Sequence, residues 1–305
     1  MNTITVVGSV NLDQTIRVEH MPKPGETIHT KELYSMPGGK GANQAVAASR
    51  SLAQVNFIGG VGDDEAGKKL LEVLEKEGIN IRGITTFAGQ ASGQAYIMVD
   101  DQGENSIMIH AGANNAFRPE EVKTRAELIE RSDFVIAQFE SALTSTIAAF
   151  TLARNASVKT ILNPAPALAK IPAELLEVTD MIVPNETEAE ILTGIKVVDK
   201  KSMEESAKVI HDLGIEAVII TLGSQGAFYD IGGESGIIPA FKVNTVDTTA
   251  AGDTFIGAMT SVLKKDFSNI EAAIRYGNKA SSLTVQRIGA QPSIPYQNEL
   301  IGADL

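Results

Sequence analysis

Short apolar runs of the kind that fill buried parallel strands recur along the chain, and amphipathic helical patterns fall between them. Ile4-Thr5-Val6-Val7-Gly8 is the first, and similar runs lie at 134–136, 160–162, 181–183 and 217–222. Between them, residues 65–77 place Leu70, Leu71, Val73 and Leu74 among charges, and 145–154 and 203–213 are further helical candidates. This alternation predicts an α/β fold: a mostly parallel central sheet with helices on both faces. Two segments break the rhythm. Residues 14–34 alternate around Ile16 and Val18 before prolines and a glycine, and 93–110 reads as two extended strands joined by Asp100-Asp101-Gln102-Gly103. They predict a small separate β-sheet, a lid built from about 14–36 and 91–110, on a single domain spanning 1–305.

Composition narrows the function classes. The 305 residues are 43% hydrophobic and 21% charged, ordinary for a soluble globular protein. With 38 acidic against 26 basic residues, the net charge of -12 opposes nucleic acid, whose binding needs clustered Lys and Arg. No basic leader followed by an apolar core opens the chain, and no apolar run approaches a membrane span, so the expectation is a cytoplasmic protein without a membrane partner. The absence of cysteine excludes disulfides, thiolate zinc sites and cysteine nucleophiles, and only His20, His29, His110 and His211 remain for a transition metal. Any metal is expected to be a hard, oxygen-bound cation.

The richest chemical stretch is Thr245-Val246-Asp247-Thr248-Thr249-Ala250-Ala251-Gly252-Asp253-Thr254-Phe255. Phe255, Ile256, Met259, Val262 and Leu263 recur at helical steps, so a helix begins near Gly252 with its free amides at Ala250, Ala251, Gly252 and Asp253. Such an N-terminus attracts phosphate, and the bare glycine allows close approach. Asp253 reads either as a general base or as an N-cap. Pro37-Gly38-Gly39-Lys40-Gly41-Ala42-Asn43-Gln44 leads into an alanine-rich helix at 45–52. It is neither a Walker A loop, which needs two glycines four residues apart before Lys and Ser or Thr, nor a dinucleotide fingerprint, whose third glycine is Gln44 here. Its plain alternative is a tight turn with a solvated lysine.

Asn11 and Asp13 follow the first apolar strand, where a parallel sheet presents ligand-binding groups, and Glu140 holds an equivalent place after 134–139. The two carboxylate oxygens of Asp13 suit neighbouring hydroxyls, and the amides of Asn11 and Asn43 can donate or accept. Each also reads as a turn residue. Asn185 and Glu188 form a plausible capping pair or the few protein ligands of a hydrated magnesium ion. The turn Thr221-Leu222-Gly223-Ser224-Gln225-Gly226 either passes beneath a nucleotide or closes a hairpin.

Taken together, Gly8 to Asp13, Gly38 to Ala45, Asn163-Pro164-Ala165-Pro166, Pro184 to Glu190, Asp247 to Phe255 and Gly289-Ala290-Gln291-Pro292-Ser293 resemble the ribokinase-like carbohydrate kinase superfamily over nearly the whole chain. The resemblance implies ATP-dependent phosphorylation of D-ribose at its 5-hydroxyl. It implies ribose contacts at Asn11, Asp13, Gly39, Lys40, Gly41, Asn43 and Glu140, Asp253 as base, and Ala250, Ala251 and Gly252 as an anion hole. ATP would meet Asn185, Thr221, Gly223, Ser224, Gly226, Gly252 and Asn278, with magnesium near Glu188, through water. An activating monovalent cation, usually potassium, would fall on Asp247, Thr249, Thr284, Arg287, Gly289 and Ser293. The family often dimerises through the lid, so a homodimer is implied. Asn278 stands where a histidine is common, and Ile288 where a lysine is frequent. The alternatives are a deoxyribose, fructose or nucleoside kinase, a non-catalytic sugar or nucleotide sensor, and a dehydrogenase, the last disfavoured by the incomplete glycine fingerprint.

Overall fold

The computed structural model describes residues 1–302; the three residues that complete the expected domain lie outside them. Thirteen strands form two sheets: β1 (Thr3–Val7), β2 (Asn11–Arg17), β3 (Glu32–Gly38), β4 (Gln54–Gly62), β5 (Asn80–Phe87), β6 (Gly93–Val99), β7 (Asn105–His110), β8 (Phe134–Ala137), β9 (Lys159–Leu162), β10 (Met181–Ile182), β11 (Ala217–Thr221), β12 (Ala227–Ile231) and β13 (Glu234–Ile238). The larger sheet runs β13-β12-β11-β10-β9-β8-β1-β4-β5. Its pairings are parallel from β5 to β11, and β12 and β13 add an antiparallel edge. The five apolar runs are all strands. β4, β5 and the β12–β13 hairpin carried weaker signals, because polar residues and glycines interrupt them.

Alternation of side chains across these strands divides the core into two layers. Ile4, Val6, Phe134, Ile136, Ile161 and Ile219 pack with helices Lys40–Arg50, Ala251–Val262 and Ile270–Thr284 on one face. Val7, Ile58, Val135, Leu162 and Val218 pack with helices Leu143–Asn155 and Lys200–Asp212 on the other. The chain winds outward from β1 through β4 to β5, then restarts at β8 and winds the other way to β11. β1 and β8 therefore flank the point of reversal, and a crevice opens at their carboxyl ends.

The smaller sheet has the order β3-β2-β6-β7 and begins at Asn11, three residues before the alternation at 14–34. Its outer strand β7 is exposed along its whole length, and Leu33, Ile107, Met108 and Ile109 stand in solvent. Helix Lys40–Arg50 likewise starts five residues earlier than the alanine-rich run. The glycine at 41, a poor helix former, is required there by packing: a Cβ at Gly41 would lie 2.7 Å from the amide nitrogen of Ser9. The same helix crosses Ala251–Val262 at Gly257, where a Cβ would lie 2.4 Å from the carbonyl oxygen of Gln44.

At the far end of helix Lys40–Arg50, the Arg50 guanidinium pairs with Glu77 at 2.6 Å, with side chains only 9% and 12% exposed. It also donates to the carbonyls of Gln291 and Ile294 and lies 4.4 Å from the centre of the Tyr296 ring. This one side chain ties the helix to the loop at 289–294. Removing one partner of a buried pair leaves an uncompensated charge. Arg50→Met is expected to destabilise the fold by about 3–5 kcal/mol, read from the urea unfolding midpoint.

Candidate active site

The crevice is furnished first from the loop after β1. Asn11 and Asp13 do not sit in that loop; they open β2, where neighbouring glycines make room for them. A Cβ at Gly38 would lie 2.0 Å from Asp13 Oδ2, and one at Gly93 would lie 2.2 Å from Asn11 Oδ1. Asn11 Oδ1 accepts from Asn114 Nδ2 at 2.7 Å, and Asn114 Oδ1 accepts from the Val10 amide, which locks the orientation of both carboxamides. Glu140 lies three residues past the end of β8. Its Oε2 accepts from Ser9 Oγ at 2.7 Å and from the Lys40 amide at 2.9 Å, placing a carboxylate at the positive end of helix Lys40–Arg50.

Asp253 is buried, in the first turn of helix Ala251–Val262. It is not the N-cap. That position belongs to Ala250, in the left-handed region at φ 59° and ψ 10°, a conformation that costs a non-glycine residue about 1–3 kcal/mol. Because Ala250 starts the helix early, the Asp253 side chain points across to helix Lys40–Arg50. Its Oδ2 accepts from Asn43 Nδ2 at 3.0 Å and its Oδ1 from Gln44 Nε2 at 2.9 Å. The left-handed turn also occupies one amide expected to be free: Ala251 N–H donates to the Thr248 carbonyl at 3.2 Å. The amides of Ala250, Gly252 and Asp253 donate to no described residue. A Cβ at Gly252 would meet nothing within 4 Å, so this turn is open.

That opening is a polar cavity of ≈ 180 Å³ lined by Lys40, Asn163, Asn185, Glu188, Thr221 and the turn from Ala250 to Asp253. A larger cavity of ≈ 410 Å³ adjoins it through the shared Thr248 and Ala251, and is lined by Gly223, Ser224, Lys242, Thr245, Asn278 and Ser281 among others. Asn278 faces this cavity while its amide donates to the carbonyls of Ile238 and Pro239. Gly226 lines neither; with φ 105° and a Cβ that would fall 2.0 Å from the Ile238 carbonyl, it serves the β11–β12 turn. Gly39 and Gly41 likewise serve close packing on the loop after β1.

Burial and crowding set the electrostatics. Asp13 is pushed from the usual carboxylate value of 3.8 up to about 7, by burial first and then by the charges of Glu140 and Asp253. Lys40 is raised chiefly by the charge of Asp253, against the effect of burial. Glu188 is raised by burial, opposed by the Asn185 amide and Lys40. Asn185 and Glu188 do form a capping box, with Glu188 Oε2 accepting from the Asn185 amide at 2.9 Å and Asn185 Oδ1 from the Glu188 amide at 2.8 Å. The other Glu188 oxygen accepts no hydrogen bond from a described residue. A half-buried carboxylate with a free oxygen suits a cation that keeps most of its water.

Behind the helix N-terminus, Asp247 clasps two loops: Oδ1 accepts from the amide and hydroxyl of Thr249 at 2.9 and 2.6 Å, and Oδ2 from the Gly289 amide at 2.8 Å. The Thr284 and Ser293 hydroxyls are buried and donate to Thr254 Oγ1 and the Ala290 carbonyl, and Arg287 pairs with Glu299. The backbone carbonyls of Asp247, Thr249 and Gly289 accept from no described residue. Neutral carbonyls beside one carboxylate fit a weakly hydrated monovalent ion, and among the described residues no cluster of three or more His, Cys, Asp or Glu could hold a metal.

Five residues of this site carried no separate signal in the sequence: Ser9, Gln44, Asn114, Gln138 and Asn163. Gln44 and Asn163 lie inside motifs, yet nothing in the spacing of 44, 138 and 163 announces that they meet.

A family model for pfkB family carbohydrate kinases matches residues 1–297. The ribokinase of Staphylococcus aureus strain COL is 47% identical over 300 residues, 98% of each chain. That of Haemophilus influenzae is 44% identical over 299 residues, 98% of this chain and 97% of the relative. Among solved structures, Arabidopsis thaliana ribokinase complexed with ribose and ATP is 32% identical with a TM-score of 0.93, covering 98% of this chain and 97% of that one.

The Asp13 shift has a consequence for stability. The folded state holds the Asp13 proton more tightly than the unfolded chain, so ionisation opposes folding progressively from about pH 4 to pH 7 and fully above it. Asp13→Asn removes that opposition, and its melting temperature relative to wild type is expected to rise across this window. Scanning calorimetry from pH 4 to 8 checks it; a constant difference would disprove the shift.

Proposed function

This chain belongs to the pfkB family of carbohydrate kinases, and we propose that it transfers the γ-phosphoryl group of ATP to the 5-hydroxyl of D-ribose, giving ribose 5-phosphate and ADP. One observation carries the reading. Asp253 accepts from Asn43, acts by its charge on Asp13, and lines with Ala250, Ala251 and Gly252 a polar cavity that shares Thr248 and Ala251 with the larger one.

Ribose binds with its hydroxyls on Asn11, Asp13, Asn43 and Glu140, and Lys40 offsets the crowded negative charge. Asn43 Oδ1 is buried and unpartnered among the described residues, an acceptor in wait for a hydroxyl. ATP lies along the larger cavity past Gly223, Ser224 and Asn278, with its phosphates toward Asn185, Thr221 and the helix N-terminus. The 5-oxygen attacks the γ-phosphorus, the bond to the β,γ-bridging oxygen breaks, and ADP leaves. A carboxylate is too weak a base to ionise an alcohol in advance, so Asp253 takes the proton as the new bond forms. The amides of Gly252 and Asp253 stabilise the charge that spreads over the transferring group. Glu188 beside Asn185 would hold magnesium, which would supply neutralisation of phosphate charge. Potassium on the carbonyls of Asp247, Thr249 and Gly289 would brace the loops behind the helix N-terminus.

The whole chain acts as one α/β unit with the smaller sheet as a lid that excludes water, the competing acceptor. The exposed Leu33, Ile107, Met108 and Ile109 on that sheet support a homodimer formed through it. The site is built for small cytoplasmic metabolites.

Two outcomes test the reading. Asp253→Asn is expected to fold normally and lose roughly a hundredfold to ten-thousandfold in kcat, measured as ADP release with ribose. Because buried partners await each hydroxyl, 2-deoxyribose should have a catalytic efficiency lower by up to roughly ten-thousandfold. Equal efficiencies would refute discrimination at the 2-hydroxyl, a higher efficiency with 2-deoxyribose would move the specificity to it, and no turnover despite measurable sugar binding would favour a sensor.

A further inference from the structure

Beneath Asp253 lies a chain of buried carboxamides that the phosphoryl-transfer reading does not use. Gln44 Nε2 donates to Asp253 Oδ1 at 2.9 Å and to Asn163 Oδ1 at 3.1 Å. Gln44 Oε1 accepts from Gln138 Nε2 at 2.6 Å, and Asn163 Nδ2 donates to the Val183 carbonyl at 3.0 Å. Gln44 is 0% exposed and Gln138 1%, so neither reaches the crevice. Three secondary elements are joined here: helix Lys40–Arg50 and the ends of β8 and β9.

We propose that Gln44 is a positioning residue for the base, fixing Oδ1 of Asp253 so that Oδ2, on the side of the sugar-facing Asn43, is turned to the acceptor hydroxyl. The polarity of the chain permits one arrangement. Flipping the Gln44 amide would set its oxygen against the Asp253 and Asn163 oxygens and its NH₂ against that of Gln138. Asn163 is fixed in turn, because its amide group faces a backbone carbonyl. Gly8 belongs to the same device: a Cβ there would fall 2.3 Å from Gln138 Oε1, so only glycine lets Gln138 reach Gln44. The two donors to Asp253 divide the work. Asn43, with its free Oδ1, exchanges contacts with the sugar, while Gln44 holds the same two acceptors throughout.

The inference rests on Asp253 as base, and its test separates the two ideas. Wild-type turnover of ribose reads the proposed function alone; the ratio of variant to wild type, on whichever sugar the wild type phosphorylates, reads this one. Gln44→Leu keeps the volume and removes the donor. It is expected to lower kcat by about ten- to a hundredfold, with sugar Kd by calorimetry within about threefold of wild type. Gln44→Glu places a further carboxyl beside Asp253, which Lys40, Asp13 and Glu188 already face, with Glu140 behind Asp13 and Lys40. The acid limb of its pH–rate profile should move up by about one pH unit. Gln138→Leu frees the lock without touching Asp253 and should give a smaller kcat loss at unchanged sugar Kd, which keeps the test decisive if Gln44→Leu fails to fold. A kcat within about twofold of wild type in the folded variants, or a kcat loss matched by an equal loss of sugar affinity, overturns the proposal.

Discussion

The contact on which the site depends is the crossing of helices Lys40–Arg50 and Ala251–Val262. It brings Asn43 and Gln44 onto Asp253 from 210 and 209 residues away in sequence. The crossing is close because Gly257 carries no side chain beneath the Gln44 carbonyl, and it is placed because Gly41 lets the first helix start against the loop after β1. Two glycines thus decide whether the sugar-facing residues and the base share a cavity. The strand reversal between β1 and β8 supplies the crevice, but the helix crossing puts chemistry in it.

The site gathers Glu140, Glu188 and Asp253 around Lys40, with Asp13 beside Glu140 and Asp253. Such crowding opposes folding, which is why burial and like charge drive Asp13 up and why Glu188 rises as well. The arrangement makes sense for a pocket that takes hydroxyls, which donate to carboxylates, beside a polyphosphate that arrives with cations. A ligand that binds only the folded state stabilises it, so binding and stability are linked through the same side chains. In the proposed reaction the acidic groups avoid the phosphates by position: they would lie on the sugar side or hold a cation, while the amides at the helix N-terminus would face the transferring group.

Much of this was legible before the fold was seen. The apolar runs became strands because a segment buried on both faces has no polar side to show, and the glycine-led helix at 251 followed from its period. What spacing alone left open was decided by packing. The early start of helix Lys40–Arg50 contradicts glycine's weak propensity and is imposed by packing. Asp253 looks like a cap locally; the left-handed Ala250 removes it from that position and also takes up the Ala251 amide. The need for glycine at 226 comes from the Ile238 carbonyl, which leaves no room for a Cβ.

The sequence by itself determined the strand-and-helix rhythm, the acidic charge, the exclusion of thiol chemistry, and the motifs that carry sugar, nucleotide and base, because each of these is written in neighbouring residues. Only the tertiary structure decided which donor holds each oxygen of Asp253, that Gln44, Gln138 and Asn163 form one buried chain, and that Asp247 clasps the loops of 249 and 289. The physical reason is that hydrogen-bond partners are chosen by proximity in space, and in a wound parallel sheet the strand ends that meet at the crevice are distant along the chain.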